Sequence, residues 1–153
     1  VIEALGAVRV EGLEAVVVVG ASNPHLSSLE EAARRSSARI DLRVNVTDMP
    51  ALMRWADVAV AAGGTTSWER AAFGLPGLIV VLADNQAAIA AACDAAGLGW
   101  NLGWYADITA DRLARRLEQL MWDRTARQGV ADRAGSLVDG RGAGRVVRKL
   151  AGG

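Results

Sequence analysis

Asp57-Val-Ala-Val-Ala-Ala-Gly-Gly-Thr-Thr-Ser-Trp-Glu-Arg-Ala-Ala-Phe-Gly-Leu-Pro-Gly77 is the stretch that decides the fold. The apolar run Val58 to Ala62 has the length of a buried strand. Gly63 and Gly64 break it. A helix is expected to begin near Thr65 or Thr66 and to stop at Gly74, with Pro76 behind it as a breaker. Strand, glycine turn and helix start, in that order, expose backbone N–H groups and a positive dipole end at the carboxyl edge of a parallel sheet. That arrangement suits a phosphate.

The flanking sequence repeats the alternation of strand and helix. Residues 1 to 7 read as the end of a helix. Ala15-Val-Val-Val-Val19 is β-branched and lacks polar alternation, so it is expected to be a strand buried on both faces. Ser27-x-x-Glu30 and Ser28-x-x-Glu31 both fit a capping box and predict a helix over about 27–36. Ile40 to Val46 reads as a strand. Thr47 or Asp48 would cap a short helix with Pro50 in its first turn. Gly77 to Leu82 is a further doubly buried strand, followed by an Ala-rich helix over 87–96 that Gly97 closes. Residues 98–106 suggest a short edge strand. Thr109 caps a helix over about 110–122, with Leu113, Leu117, Leu120 and Met121 at helical spacing. Another helix is expected over 124–137, interrupted by Gly140-Arg-Gly142, and a last short one runs to Leu150. The class is α/β with a mainly parallel sheet. Right-handed crossovers would place the loops after Val19, Val46, Ala62 and Leu82 along one edge. The polar clusters Ser22-Asn23, Thr47-Asp48, Gly64 to Glu69 and Asp84 to Gln86 all fall in those loops, which marks a ligand crevice.

Length and composition narrow the function. The 153 residues are enough for one domain with a proper core. Seventeen basic residues offset seventeen acidic ones, so no net charge favours nucleic acid or an anionic membrane as partner. No apolar run approaches the ~20 residues of a membrane span, and Val1-Ile-Glu-Ala does not read as a signal peptide. One cysteine, Cys93, cannot form an internal disulfide, which points to a reducing cytoplasm. One histidine and one cysteine argue against a soft-ligand metal site. Neither G-x-G-x-x-G nor G-x-x-x-x-G-K-[ST] occurs, which disfavours a dinucleotide site and excludes a P-loop.

Individual residues keep two readings each at this level. Gly63 to Ser67 would bind a diphosphate through amides and hydroxyls, or form an ordinary tight turn. Glu69 would accept hydrogen bonds from two ribose hydroxyls, or fold back on Thr66 as a capping box. Asn85 and Gln86 would meet sugar hydroxyls, while Asn85 alone could be an N-cap. His25 reads as a capping or ligand-edge residue rather than a catalytic base. Cys93 reads as a small buried residue. The five tryptophans read as core or interface residues, Trp68 being set apart because it flanks the glycine turn, and Arg112, Arg115 and Arg116 read as a solvated face.

Taken together, Val46-Thr-Asp-Met-Pro-Ala-Leu-Met-Arg-Trp-Ala-Asp57, Ala62-Gly-Gly-Thr-Thr-Ser-Trp-Glu69, Gly74-Leu-Pro76, Ala83-Asp-Asn-Gln86 and Val138-Asp-Gly-Arg-Gly-Ala143 resemble a known pattern. It is the C-terminal half of the UDP-sugar hydrolases of pseudaminic acid biosynthesis, which act on UDP-2,4-diacetamido-2,4,6-trideoxy-β-L-altropyranose. The half-domain is also similar to that of the UDP-N-acetylglucosamine transferase of peptidoglycan synthesis. The resemblance spans about residues 13–150 and implies a glycosyltransferase-B fold: a Rossmann-like three-layer domain. It implies that Gly20, Ser22 and Asn23 line a nucleotide crevice, and that Val46 and Met49 border uracil. Gly64, Thr65 and Thr66 would hold the diphosphate, Glu69 the ribose, and Asn85 and Gln86 the sugar. The implied ligand is a UDP-sugar, with no cofactor and no metal. The implied reaction is hydrolysis at the anomeric carbon; the alternatives are glycosyl transfer from the same donor, or noncatalytic nucleotide binding. In the hydrolases the catalytic histidine comes from an N-terminal Rossmann domain, which these residues do not include. Family members also carry a strand and a Gly-rich loop ahead of the helix at residues 1–7. Residues 1–153 therefore read as one nucleotide-sugar-binding domain of a larger protein, inactive alone, with the catalytic residues unknown.

Overall fold

The computed structural model describes residues 1–152. Its elements run α1 Ile2–Ala7, β1 Glu14–Val19, α2 Leu26–Arg35, β2 Arg39–Val44, α3 Met49–Trp55, β3 Ala59–Ala62 and α4 Thr66–Ala72. They continue with β4 Gly77–Val81, α5 Asp84–Ala95, β5 Trp100–Trp104, a 3-10 turn Tyr105–Asp107, α6 Ala110–Trp122, α7 Arg124–Leu137 and α8 Gly142–Ala151. The alternation of strand and helix is the α/β, Rossmann-like class expected. Every strand pair among the described residues is parallel.

The sheet comes in two pieces. β1 pairs with β2, and β3, β4 and β5 pair in that order. β4 sits at the centre of the larger piece, and its alternating side chains serve two cores. Leu78 packs on one face with Ala4 and Leu5 of α1 and with Leu113, Leu117 and Leu120 of α6. Ile79 and Val81 pack on the other with Ala71 of α4, Ala90 and Cys93 of α5 and Ala134 of α7. Cys93 is thus the small buried residue expected.

Helix punctuation follows the sequence where glycine or an Asx/Thr cap sets it. Gly74 and Gly97 take left-handed φ values of 62° and 69° at the ends of α4 and α5, a conformation that costs glycine least. Asp48 accepts a hydrogen bond from the Ala51 amide at 2.9 Å, and Thr109 from the Arg112 amide at 3.2 Å, capping α3 and α6.

Four expectations need correction. β1 is not buried on both faces: Val18 is 42% exposed. Helices cover one side of the β1–β2 ribbon, and the outer side carries Asp41 and Arg43, paired at 2.8 Å. The capping boxes ahead of α2 do not form. The helix begins one residue earlier, after His25, and Ser28 instead donates to the His25 carbonyl. The helix after β4 starts at Asp84, with Ala83 as N-cap, so Asn85 lies inside it and does not cap it. The tryptophans meet the expectation only in part: Trp100 and Trp104 are half-buried and pack against the two cores, whereas Trp55, Trp68 and Trp122 are exposed. No helix among the described residues is long and apolar enough to cross a membrane.

Candidate functional site

The turn between β3 and α4 has two glycines with different duties. Gly63 donates to the Val80 carbonyl at 3.1 Å, which ties the turn to β4. A Cβ there would sit 3.1 Å from both the Ala90 Cβ and the Gln86 carbonyl, so Gly63 suits the close approach of α5. A Cβ on Gly64 would meet nothing within 4 Å. Its open side is free for a ligand.

The first turn of α4 is tight. The Ser67 amide donates to the Gly64 carbonyl and the Trp68 amide to the Thr65 carbonyl, each at 3.0 Å. The amides of Gly64, Thr65 and Thr66 are left without an acceptor among the described residues. Thr65 is exposed, and Gly64 and Thr66 are half-buried. Three successive free amides are the donor set that binds phosphate oxygens. The Ser67 hydroxyl is buried and unpartnered instead of facing this opening.

Glu69 stands one turn further along α4, exposed. The N-cap of α4 is Thr65 in helical conformation, and no side-chain cap bond closes the turn. The capping-box reading of Thr66-x-x-Glu69 is therefore not realised, and the carboxylate is available to an incoming hydroxyl pair.

Parallel pairing puts the loops after β1 and β2 at one end of their sheet, and those after β3 and β4 at one end of theirs. Gly20 is exposed, and a Cβ there would meet nothing within 4 Å. Asn23 uses its Oδ1 to accept from the His25 amide at 2.9 Å, an Asx turn, which leaves its NH2 group outward. Ser22 is exposed. Asn45, with φ of 54°, donates to the Val19 carbonyl at 3.0 Å and turns the chain toward Val46, which is half-buried. Asn85 is exposed. Gln86 is partly committed: its Oε1 accepts from the Leu82 amide at 3.0 Å, so only its NH2 is free.

A cavity of about 730 Å³ opens between β1 and β3. Of the site residues expected from the sequence, Met49 and Thr66 line it; Gly20, Ser22, Asn23, Thr65, Glu69 and Asn85 are exposed outside it, and Val46, Gly64 and Gln86 are half-buried. Met49 therefore points into the slot between the strands as much as toward the expected crevice.

Arg70 escaped the sequence reading. It is 1% exposed. Its Nη1 donates to the Leu75 carbonyl at 2.8 Å and, at 3.5 Å, to that of Leu98, while Nε and Nη2 have no partner. Burial lowers its pKa from the usual guanidinium value, with Cys93 acting in the opposite sense. The available signal is its spacing: Ser67, Arg70 and Ala71 form the buried face of α4, where an apolar side chain is expected.

The loop ahead of α8 is fastened by Asp139. Its carboxylate accepts from Arg145 Nη1 at 2.6 and 2.9 Å and from the Arg141 amide at 3.0 Å. The Arg145 contact, then the Arg141 amide, hold this carboxyl below the ordinary aspartate range.

Residues 11–139 match the model of the glycosyltransferase family 28 C-terminal domain. The chain is 29% identical over 136 residues to the spore coat polysaccharide biosynthesis protein SpsG of Bacillus subtilis (strain 168), covering 87% of this chain and 39% of that protein. It is 34% identical over 128 residues to the UDP-N-acetylglucosamine--N-acetylmuramyl-(pentapeptide) pyrophosphoryl-undecaprenol N-acetylglucosamine transferase of Alkalilimnicola ehrlichii (strain ATCC BAA-1101 / DSM 17681 / MLHE-1), covering 80% of this chain and 36% of that enzyme. The crystal structure of Acinetobacter baumannii MurG superposes with a TM-score of 0.69 at 21% identity, over 87% of this chain and 38% of that one. The chain thus spans about two fifths of the length of these relatives.

Proposed function

This chain belongs to the glycosyltransferase family 28 C-terminal domain family, and from that premise we propose that it is the donor-binding domain of a UDP-sugar glycosyltransferase. The observation that carries the reading is the start of α4. Three free amides at Gly64, Thr65 and Thr66 lie beside a glycine with open space above it, and an uncapped carboxylate, Glu69, follows one turn on. The amides would take the diphosphate oxygens. Glu69 would take the two ribose hydroxyls. Val46 and Met49 would border the uracil, and Gly20, Ser22 and Asn23 the opposite wall. Asn85 and the free NH2 of Gln86 would meet the sugar.

In such a transfer the bond between the anomeric carbon and the diphosphate oxygen breaks, and its electron pair stays on UDP. An acceptor hydroxyl oxygen bonds to the same carbon and loses its proton to a base outside this chain. Charge grows on the diphosphate as the bond breaks, so preset amide donors favour the transition state over the bound donor. We place the base and the acceptor site on an N-terminal domain of a longer protein, and treat residues 1–153 as one nucleotide-sugar-binding domain. A cytoplasmic location, where nucleotide sugars are made, goes with this proposal.

Hydrolysis, with water as acceptor, is the second reading; the resemblance of the Val46–Asp57, Ala62–Glu69 and Val138–Ala143 motifs to the UDP-sugar hydrolases favours it. Full-length protein incubated with UDP-sugars, with and without candidate acceptors, separates the two by UDP release. Release that needs an acceptor supports transfer, and equal release without one supports hydrolysis. Calorimetric titration with UDP, AMP and NAD tests the premise beneath both: no preference for UDP leaves only a noncatalytic nucleotide-binding role.

A further inference from the structure

β5 carries an irregularity that its own residues maintain. Its pairing with β4 keeps step from Leu78 with Trp100 to Ile79 with Asn101. It then skips Leu102, so that Val80 meets Gly103 and Val81 meets Trp104. This is a β-bulge. Gly103 takes a left-handed φ of 91°, which costs glycine least, and the Asn101 Oδ1 accepts from the Gly103 amide at 2.9 Å.

The bulge decides where the next side chains go. Residues two apart on a regular strand share a face. Trp100 and Leu102 do so, packing in the core that α6 covers. Trp104, two residues on, packs instead in the core that α5 covers. The extra residue has moved it across the sheet. Tyr105 then leaves the strand 54% exposed, its ring 5.5 Å from that of Trp104 and tilted by 42°.

Tyr105 comes out beside the first turn of α5. Val81 and Trp104 are the last paired residues, so Leu82 and Tyr105 emerge side by side, about one strand spacing, or roughly 5 Å, apart. Leu82 is exposed, and its amide is the donor to Gln86 Oε1 at 3.0 Å. The free NH2 of Gln86 and the exposed Asn85 therefore share one sheet edge with an open aromatic ring. A pyranose has use for both kinds of group. Its hydroxyls take hydrogen bonds from amides, and its ring C–H groups pack on an aromatic surface. A phosphate would gain nothing from the ring. We propose that Tyr105, backed by Trp104, is the wall against which the sugar ring of the donor packs. The inference rests on the donor-binding reading above, and holds for either acceptor.

Calorimetry on the full-length protein tests it, with UDP, UDP-glucose, UDP-galactose and the N-acetylated counterparts of both conjugates as probes. Tyr105→Ala should weaken the tightest-binding UDP-hexose by roughly 3–30-fold, the scale of one aromatic packing contact, and leave UDP unchanged. Tyr105→Phe keeps the ring and should bind both as the unaltered protein does. Tyr105 is exposed, so thermal unfolding should show both variants folded. Equal weakening of UDP and UDP-hexose would mean that Tyr105 acts on the nucleotide, and no weakening of either that the sugar lies elsewhere; each overturns the proposal. So does a failure of every hexose conjugate to bind where UDP binds. Failure of the donor-binding reading looks different: the unaltered protein would then show no preference for UDP over AMP.

Discussion

Replacing Gly77 with alanine should expose how tightly β4 is built around a buried cation. A Cβ at Gly77 would lie 2.5 Å from Arg70 Nη1, 2.7 Å from Cζ and 3.0 Å from Nε. Gly77 does not occupy left-handed backbone, so collision alone sets the cost. The guanidinium is 1% exposed, bonded to the Leu75 carbonyl at 2.8 Å, and faced by Gly99, whose own Cβ would come within 3.3 Å of Nη2, so any move into the cavity it lines breaks a buried bond. If Arg70 moves, a buried carbonyl loses its donor, at about 1–3 kcal/mol. If β4 moves, overpacking strain costs about 1–3 kcal/mol. The cheaper route sets the loss, about 1–3 kcal/mol, a large share of a stability that is typically about 5–15 kcal/mol. For a domain this size the melting temperature should fall by roughly 2–12 °C.

The discriminating assay is a double-mutant cycle by urea unfolding with Arg70→Met. The thioether keeps most of the stem and removes the atoms that clash. Alanine at 77 should then cost much less, giving a coupling of about 1–3 kcal/mol. Arg70→Met alone has opposing parts, an orphaned carbonyl against relief from holding an unpaired charge in a dry site. The cycle cancels both. Additivity within about 0.5 kcal/mol would refute the collision assigned to Arg70.

Three further outcomes follow from the site. Glu69→Ala should weaken UDP binding by roughly 10–100-fold, the scale of a charged hydrogen bond, with the melting temperature nearly unchanged because no cap bond is lost; a fall in melting temperature with intact binding would restore the capping role. Gly64→Val should impair UDP binding and leave stability alone, whereas Gly63→Ala should destabilise through its 3.1 Å contacts with α5; calorimetry and thermal unfolding read both, and the opposite pattern would reverse the two roles. The Asp139 carboxyl is held below its ordinary range, so its hold on the loop before α8 is fully present above the unfolded aspartate pKa and is lost as pH falls through the lower folded value; a carboxyl NMR titration should show this, and Arg145→Gln should return the group toward normal.

The sequence disclosed what glycine, proline and caps dictate locally. Gly74, Gly97, Asp48 and Thr109 end or start helices because their backbone freedom or side-chain oxygens act within one turn. Leu113, Leu117 and Leu120 were legible because a helical stripe needs only its own period. The double burial expected of β1 was not met, because an apolar run tells that a strand wants cover without telling whether cover arrives. Ser27 and Ser28 misled because the Asx turn at Asn23 set the helix start upstream of them. The free amides of Gly64 to Thr66 could be foreseen from the order of strand, glycine and helix. The division of labour between Gly63 and Gly64 could not, since it depends on where Ala90 and Gln86 land. Arg70 was hidden for the same reason: nothing local says that Gly77 and Gly99 leave room for a guanidinium.

The choice between transfer and hydrolysis turns on what this chain can touch. In the proposed donor complex the amides at Gly64 to Thr66 and the Glu69 carboxylate would meet the leaving group, and that leaving group is the same whether an alcohol or water attacks. Weakening them raises the barrier to breaking the same bond in both reactions, so it cannot favour one acceptor over the other. In the full-length protein, Glu69→Ala should therefore lower UDP release with and without acceptor by the same factor, keeping their ratio constant within error. A ratio that moves would mean that Glu69 also reaches the acceptor side, and the donor-only role given to this domain would have to be abandoned.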